Sequence, residues 1–99
     1  MRPLPLTVAR EAEAEASEAA DWYEKRSPGL GVAFLVLIEQ TLAHIAENPG
    51  QFPLVYRDVR RASLKRFPFG IFFRLRKDRI RVLAVMHSSR DPQRWRRRR

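Results

Sequence analysis

The chain has 99 residues, of which 44% are hydrophobic, no cysteine and a net charge of +9. That length suits one domain, taken as residues 1–99, with a modest core. The composition argues against global disorder, a disulfide framework or a thiolate metal site. Lack of cysteine fits a reducing cytoplasm. The longest apolar run, Val32 to Ile38, is too short to span a bilayer, and no signal-peptide stretch opens the sequence, so a soluble cytoplasmic protein is expected.

The first segment, Pro3-Leu4-Pro5-Leu6, reads as an extended strand. Its two prolines remove donors along one side, which places it at a sheet edge. A helix is expected from about Val8 to Arg26, with Thr7 as N-cap and Glu11 in the first turn. Ala9, Ala12, Ala16, Ala19, Ala20 and Tyr23 form its apolar stripe, and the small alanines allow another helix to approach closely. Trp22 flanks that stripe. Ser27-Pro28-Gly29-Leu30-Gly31 ends this helix and starts the next, with Ser27 as N-cap and Pro28 at the first position. The second helix carries Phe34, Leu35, Ile38, Leu42 and Ile45 at helical spacing and stops at Asn48-Pro49-Gly50. The short connection predicts an antiparallel helical hairpin.

From Arg57 the period changes to two. A weakly alternating strand is expected from about Arg57 to Lys65. Two clear strands follow, Phe69 to Arg76 and Arg79 to His87, joined by a Lys77-Asp78 hairpin loop. That loop sets Leu75 opposite Ile80, Arg74 opposite Arg81 and Phe73 opposite Val82. Continued without a break, it sets Phe72 opposite Leu83, Ile71 opposite Ala84 and Phe69 opposite Met86. Ser88 to Arg99 forms a basic tail, and its last arginines, Arg97 to Arg99, are expected to be a disordered electrostatic extension. The expected fold is α+β: an N-terminal edge strand and a helical hairpin packed on one face of a mostly antiparallel four-stranded sheet.

In this register the helices cover Phe69, Ile71, Phe73, Leu75, Ile80, Val82, Ala84 and Met86. The opposite face combines Phe72, Leu83 and Val85 with two arginine pairs, Arg74–Arg81 and Arg76–Arg79, placed directly across strands. Like charges so placed repel. The expectation is that an external partner covers this face. The alternative is that the tail folds back and lays Trp95 over Phe72 and Leu83.

Charge is unevenly placed. Arg10 to Arg26 holds three basic and six acidic residues, whereas Gln51 to Arg99 holds sixteen basic and three acidic ones. An anionic partner, nucleic acid or acidic protein, follows from the second half, unless its charge serves only solubility. Arg90, Arg94, Trp95 and Arg96 interleave arginine with an aromatic, as in surfaces that hold single strands, although Trp95 also suits packing on the domain. Arg60, Arg61, Lys65 and Arg66 form a basic stripe. His87, at the end of a strand, suits a general base or a histidine tied into a turn, and the turn is the favoured reading. His44, near a helix end, is given no role. No metal-ligand cluster, phosphate-binding glycine loop or nucleophile–base pair is legible, and no cofactor is expected.

Trp22-Tyr23-Glu24-Lys25-Arg26-Ser27-Pro28-Gly29-Leu30-Gly31 with Phe34-Leu35 resembles the helix–turn–helix segment of ParE-type toxins in the RelE/ParE superfamily. Ile45, Asn48-Pro49, Phe52-Pro53, Arg60-Arg61, Arg66-Phe67-Pro68-Phe69, Val85, His87, Arg90-Asp91-Pro92 and Trp95 continue it in order. The resemblance implies the toxin half of a type II toxin–antitoxin module, with a cognate antitoxin over Phe72, Leu83, Val85, Arg74 and Arg81. It implies inhibition of DNA gyrase, with Arg90, Arg94, Trp95 and Arg96 assigned to the target. The alternative within the superfamily is RelE-like, ribosome-dependent cleavage of mRNA by His87 with Arg61, Arg66 or Arg81. A non-toxic basic binding module on the same fold is the third reading.

Overall fold

The computed structural model describes residues 2–98. In chain order it contains β1 (Leu6–Val8), α1 (Arg10–Arg26), α2 (Leu30–Glu47), β2 (Leu54–Tyr56), β3 (Val59–Ser63), β4 (Phe69–Leu75), β5 (Ile80–His87) and α3 (Gln93–Arg96). The sheet order is β1-β5-β4-β3-β2, with β1 parallel to β5 and every other pair antiparallel. The α+β class is as expected, with five strands instead of four. The added strand, β2, is a three-residue edge piece paired to β3.

Helix α1 starts later than its apolar pattern suggests because Thr7 and Val8 are engaged in β1, opposite Arg81 and Val82. The Ala9 amide extends that ladder to the Val82 carbonyl at 2.9 Å. Thr7 is therefore not an N-cap; Ala9 takes that position and offers no capping side chain. The alanine stripe is buried as expected: Ala9, Ala12, Ala16, Ala19 and Ala20 are at most 9% exposed.

The corner between α1 and α2 also differs from expectation. Gly29, not Ser27, is the N-cap of α2, in the left-handed region at φ +88°. The first amides of α2 are capped from α1: Gly29 N–H and Gly31 N–H donate to the Glu24 carboxylate at 2.8 and 2.9 Å. These bonds hold the Glu24 carboxyl below the usual carboxylate range. Gly31 is where the helices touch, since a Cβ there would run into the Ala20 carbonyl oxygen and the Glu24 side chain.

Among the described residues, α2 is the one helix long and apolar enough to cross a membrane, a property that core helices share. Here Phe34, Ile38 and Ile45 are buried against α1 and the sheet, while Val32, Leu35 and Val36 face outward. Leu35 thus departs from its expected place on the buried stripe. Tyr23, Phe34, Phe67 and Phe69 close one end of this core, with neighbouring ring centroids 4.8–6.1 Å apart.

The β4–β5 register holds from the hairpin loop through Phe73↔Val82 and then changes. A bulge opposite Phe72 shifts the rest by one: Phe72 pairs with Ala84, Ile71 with Val85, Gly70 with Met86 and Phe69 with His87. Beyond the bulge the faces exchange. Val85 joins the core under the helices, whereas Ala84 and Met86 pass to the far side with Leu83, Phe72 and Val59. An unbroken hairpin was the wrong expectation here. Leu83-Ala84-Val85-Met86 is apolar throughout, so alternation does not say which residues point inward.

The far face is not open. The tail turns back at Asp91-Pro92, where the Asp91 carboxylate accepts the Gln93 amide at 2.9 Å. It lays Trp95 flat on Phe72, with ring centroids 4.5 Å apart and planes 23° from parallel. Trp95 is 5% exposed, Phe72 8% and Leu83 0%. Both sheet faces are therefore covered by this chain, one by the helical hairpin and one by the tail.

Three outcomes are expected in thermal or denaturant unfolding. Trp95→Ala should cost about 3 kcal/mol or more, as for other large-to-small core changes, with Trp95→Phe recovering most of it. Gly31→Ala should cost about 1–3 kcal/mol by forcing α1 and α2 apart. Glu24→Gln should lower the melting temperature at neutral pH. Because the folded-state pKa of Glu24 is depressed, its contribution is present above the unfolded value of about 4.3 and lost as pH falls through the folded value, so the two proteins should converge in acid.

Candidate functional site

The charged groups fall at two ends of the sheet. At the hairpin end, Arg74 lies across from Arg81 as expected. The repulsion is relieved by a residue the sequence did not single out. Asp58, in the β2–β3 turn, sits 3.1 Å from Arg74 Nε and 3.5 Å from Arg76 Nη1. The Arg74 contact is an ion pair rather than an aligned hydrogen bond, since that buried Nε has no hydrogen-bond acceptor. Arg81 turns to β1 and donates to Thr7 Oγ1 at 3.2 Å, and Arg79 pairs with the adjacent Asp78 at 3.4 Å.

The other end carries the tail and His87. A groove of about 850 Å³ runs between α1 and the end of β5, with Glu15 and Glu18 on one wall and Arg90 and Arg94 on the other. A smaller cleft of about 350 Å³ lies on the far face, rimmed by Arg61, His87, Arg90 and Arg96. Arg61 reaches it across Gly70, where a Cβ would come 3.1 Å from the Arg61 Cγ. Arg96 places its guanidinium 4.3 Å from the centre of the Tyr56 ring.

His87 is tied into a turn, as favoured above. Its Nδ1 accepts the Ser89 amide at 3.0 Å and lies 2.8 Å from the Ser89 hydroxyl. The amide bond assigns the neutral ring's proton to Nε2, which leaves a donor, not a free lone pair. The residues proposed for RNA cleavage do not converge. Arg61 shares the far-face cleft with His87. Arg66 sits in the β3–β4 loop at φ +72°, its guanidinium 5.4 Å from the Phe67 ring. Arg81 is six residues from His87 along β5, about 20 Å at strand spacing.

The residues expected to form an open antitoxin surface are placed differently. Phe72 and Leu83 lie beneath Trp95, and Val85 lies under the helices. Of the expected target-binding set, Trp95 is inward-facing, while Arg90 and Arg94 are exposed and Arg96 is half-buried.

The groups that organise this end were missed in the sequence. Glu15 stands beside the alanine stripe of α1, off its buried face in the sequence pattern. In the structure its Oε1 accepts the Val85 amide at 3.0 Å and Arg98 Nη1 at 2.9 Å, while its Oε2 lies 2.9 Å from Arg98 Nη2. Arg98 Nη1 also donates to the Leu83 carbonyl at 3.2 Å. This two-pronged pair is about one-fifth exposed on each side and fastens the end of the tail across the bulge. Arg98 is thus held against the domain, not in a disordered extension; Arg99 lies outside the described residues. No local pattern singles Glu15 out among the six acidic residues of α1.

Comparison with known proteins agrees with the fold. The family model described as ParE toxin of type II toxin–antitoxin system, parDE, matches residues 6–92. Among solved structures, a chain of the chromosomal ParDE TA system from P. aeruginosa superposes with a TM-score of 0.76 at 23% identity. It covers 85% of this chain and 95% of that one, which speaks to the fold. No curated protein matches. The family match spans the edge strand, the helical hairpin, the sheet and the turn into the tail, and the chain therefore belongs to the ParE toxins of type II toxin–antitoxin systems.

Proposed function

We propose that this toxin poisons DNA gyrase in the cytoplasm through protein contacts and is silenced by its cognate antitoxin. The observation that carries this reading over RNA cleavage is the state of His87. A general base needs a lone pair aimed at the proton it removes. His87 has its Nδ1 occupied by the Ser89 amide, which leaves the ring proton on Nε2. Arg81, proposed to stabilise charge beside it, lies at the opposite end of the same strand. What this end of the molecule offers instead is a positioned row of cations, Arg90, Arg94 and Arg96, on a tail clamped at both sides.

In this reading Trp95 fixes the tail and the arginines meet the target. The antitoxin supplies carboxylates to Arg74 and Arg81 at the hairpin end and to Arg90 and Arg94 along the groove beside α1. Phe72, Leu83 and Val85 are interior residues on which the antitoxin depends only through the surface they support.

Purified toxin should inhibit gyrase supercoiling of relaxed plasmid or trap cleaved DNA. His87→Ala should retain that inhibition, and Arg90→Gln/Arg94→Gln should raise the concentration for half-inhibition by about tenfold, the loss of roughly 1.4 kcal/mol of binding. Unchanged gyrase activity at saturating toxin, together with ribosome-dependent mRNA cleavage that His87→Ala abolishes, would establish the nuclease reading instead.

A further inference from the structure

The far-face cleft shares Arg90 and Arg96 with the proposed gyrase surface, and the rest of its lining has a chemistry of its own. Three guanidinium side chains, Arg61, Arg90 and Arg96, stand on its rim. Among the described residues no carboxylate pairs with any of them, although Arg74, Arg76, Arg79 and Arg98 each have one. Arg96 Nε is buried without a hydrogen-bond acceptor. Cations gathered without a carboxylate partner repel one another, and an anionic oxygen at the rim would offset that repulsion. His87 adds a further donor, because the Ser89 amide leaves the proton on Nε2.

Below this rim the cleft is apolar, with Phe69, Phe72, Pro92 and Trp95 among its lining residues. Its volume of about 350 Å³ falls at the small end of ligand clefts, roughly 300–1,000 Å³. Donors and fixed cations at the mouth over an apolar floor match a phosphate linked to a flat, partly apolar ring. A simple inorganic anion would use only the rim, and a carboxylate peptide would leave the floor unfilled. A duplex keeps its base faces stacked inside, so the strand must be single.

We propose that this cleft binds single-stranded nucleic acid, with Arg61, Arg90 and Arg96 on consecutive phosphates and one unpaired base against the floor. The strand is held without being cut, since His87 has no free lone pair to act as base. Arg61 reaches the rim because Gly70 leaves room for its stem, and Arg96 is braced on the Tyr56 ring, so one of the three cations is held before the strand arrives. The cleft shares Arg90 and Arg96 with the surface proposed above for gyrase, so a bound strand and gyrase would compete for them.

The test is fluorescence anisotropy of labelled 12-mers of thymidylate and uridylate with the full-length toxin, in the absence of gyrase, at several salt concentrations. Binding is expected at 0.15 M salt, and the DNA and RNA arms report whether the 2′-hydroxyl contributes. Arg61→Gln/Arg90→Gln should weaken binding at least tenfold and lower the salt slope by about 1.4, at roughly 0.7 per phosphate contact on single strands. Lys77→Gln/Arg79→Gln removes the same charge at the opposite end of the sheet and should change affinity less than twofold. Both arginine positions are exposed, and unchanged thermal melting of each variant confirms the fold. Equal loss from the two double variants would reduce the effect to diffuse electrostatics and overturn the proposal, as would equal competition by duplex DNA. A toxin that inhibits gyrase yet binds neither oligonucleotide would overturn this site alone.

Discussion

The carboxylate of Glu15 sits where helix, strand and tail meet. At the bulge the β5 backbone turns the Leu83 carbonyl and the Val85 amide toward α1, past the point where β1 stops pairing. A strand edge left there would expose polar backbone beside the core. Glu15 takes the amide, Arg98 takes the carbonyl, and the two side chains take each other. One acidic residue thereby ends the sheet on that side, stabilises the bulge and anchors the last turn of the chain.

The bulge in turn decides what each face of the sheet contains. Without it Ala84 and Met86 would lie under the helices and Val85 on the far side. With it, Val85 fills the helix-side core, and Leu83, Ala84 and Met86 form a second apolar layer with Phe72 and Val59. That layer needs a cover, and Trp95 provides it. The basic tail is thus a structural element first. Its arginines are exposed at fixed positions because the tryptophan among them is buried. What is left free for partners is the hairpin end, the groove beside α1 and the far-face cleft.

Much of this was legible in the sequence. Period-two alternation located β4 and β5, and the Lys77-Asp78 loop fixed their register as far as Phe73 and Val82. The alanine stripe located α1, and the first segment was placed at a sheet edge, although its strand is Leu6–Val8 and begins after both prolines. The pattern ran out where it carried no contrast. Four consecutive apolar residues, Leu83 to Met86, allow either face to be buried, so the bulge left no trace. Strand β2 is three residues long and follows a proline. The cap of α2 depends on Glu24, a side chain from the preceding helix, so reading Ser27 and Pro28 locally gave the wrong start. Trp95 was visible as a possible cover, yet spacing alone could not choose between the tail and a partner. Glu15 and Arg98 are 83 positions apart, and no local rule pairs them.

The tail covers the far face, and Glu15 fastens it there. The two tryptophans make this directly measurable, since Trp22 is 53% exposed and Trp95 only 5%. In a Trp22→Phe background the remaining emission should be blue-shifted and poorly quenched by acrylamide. Adding Glu15→Gln should shift it to the red and increase its quenching several-fold while the far-ultraviolet circular dichroism stays the same. Red-shifted, freely quenched Trp95 emission in the Trp22→Phe protein itself, with native secondary structure, would contradict the account.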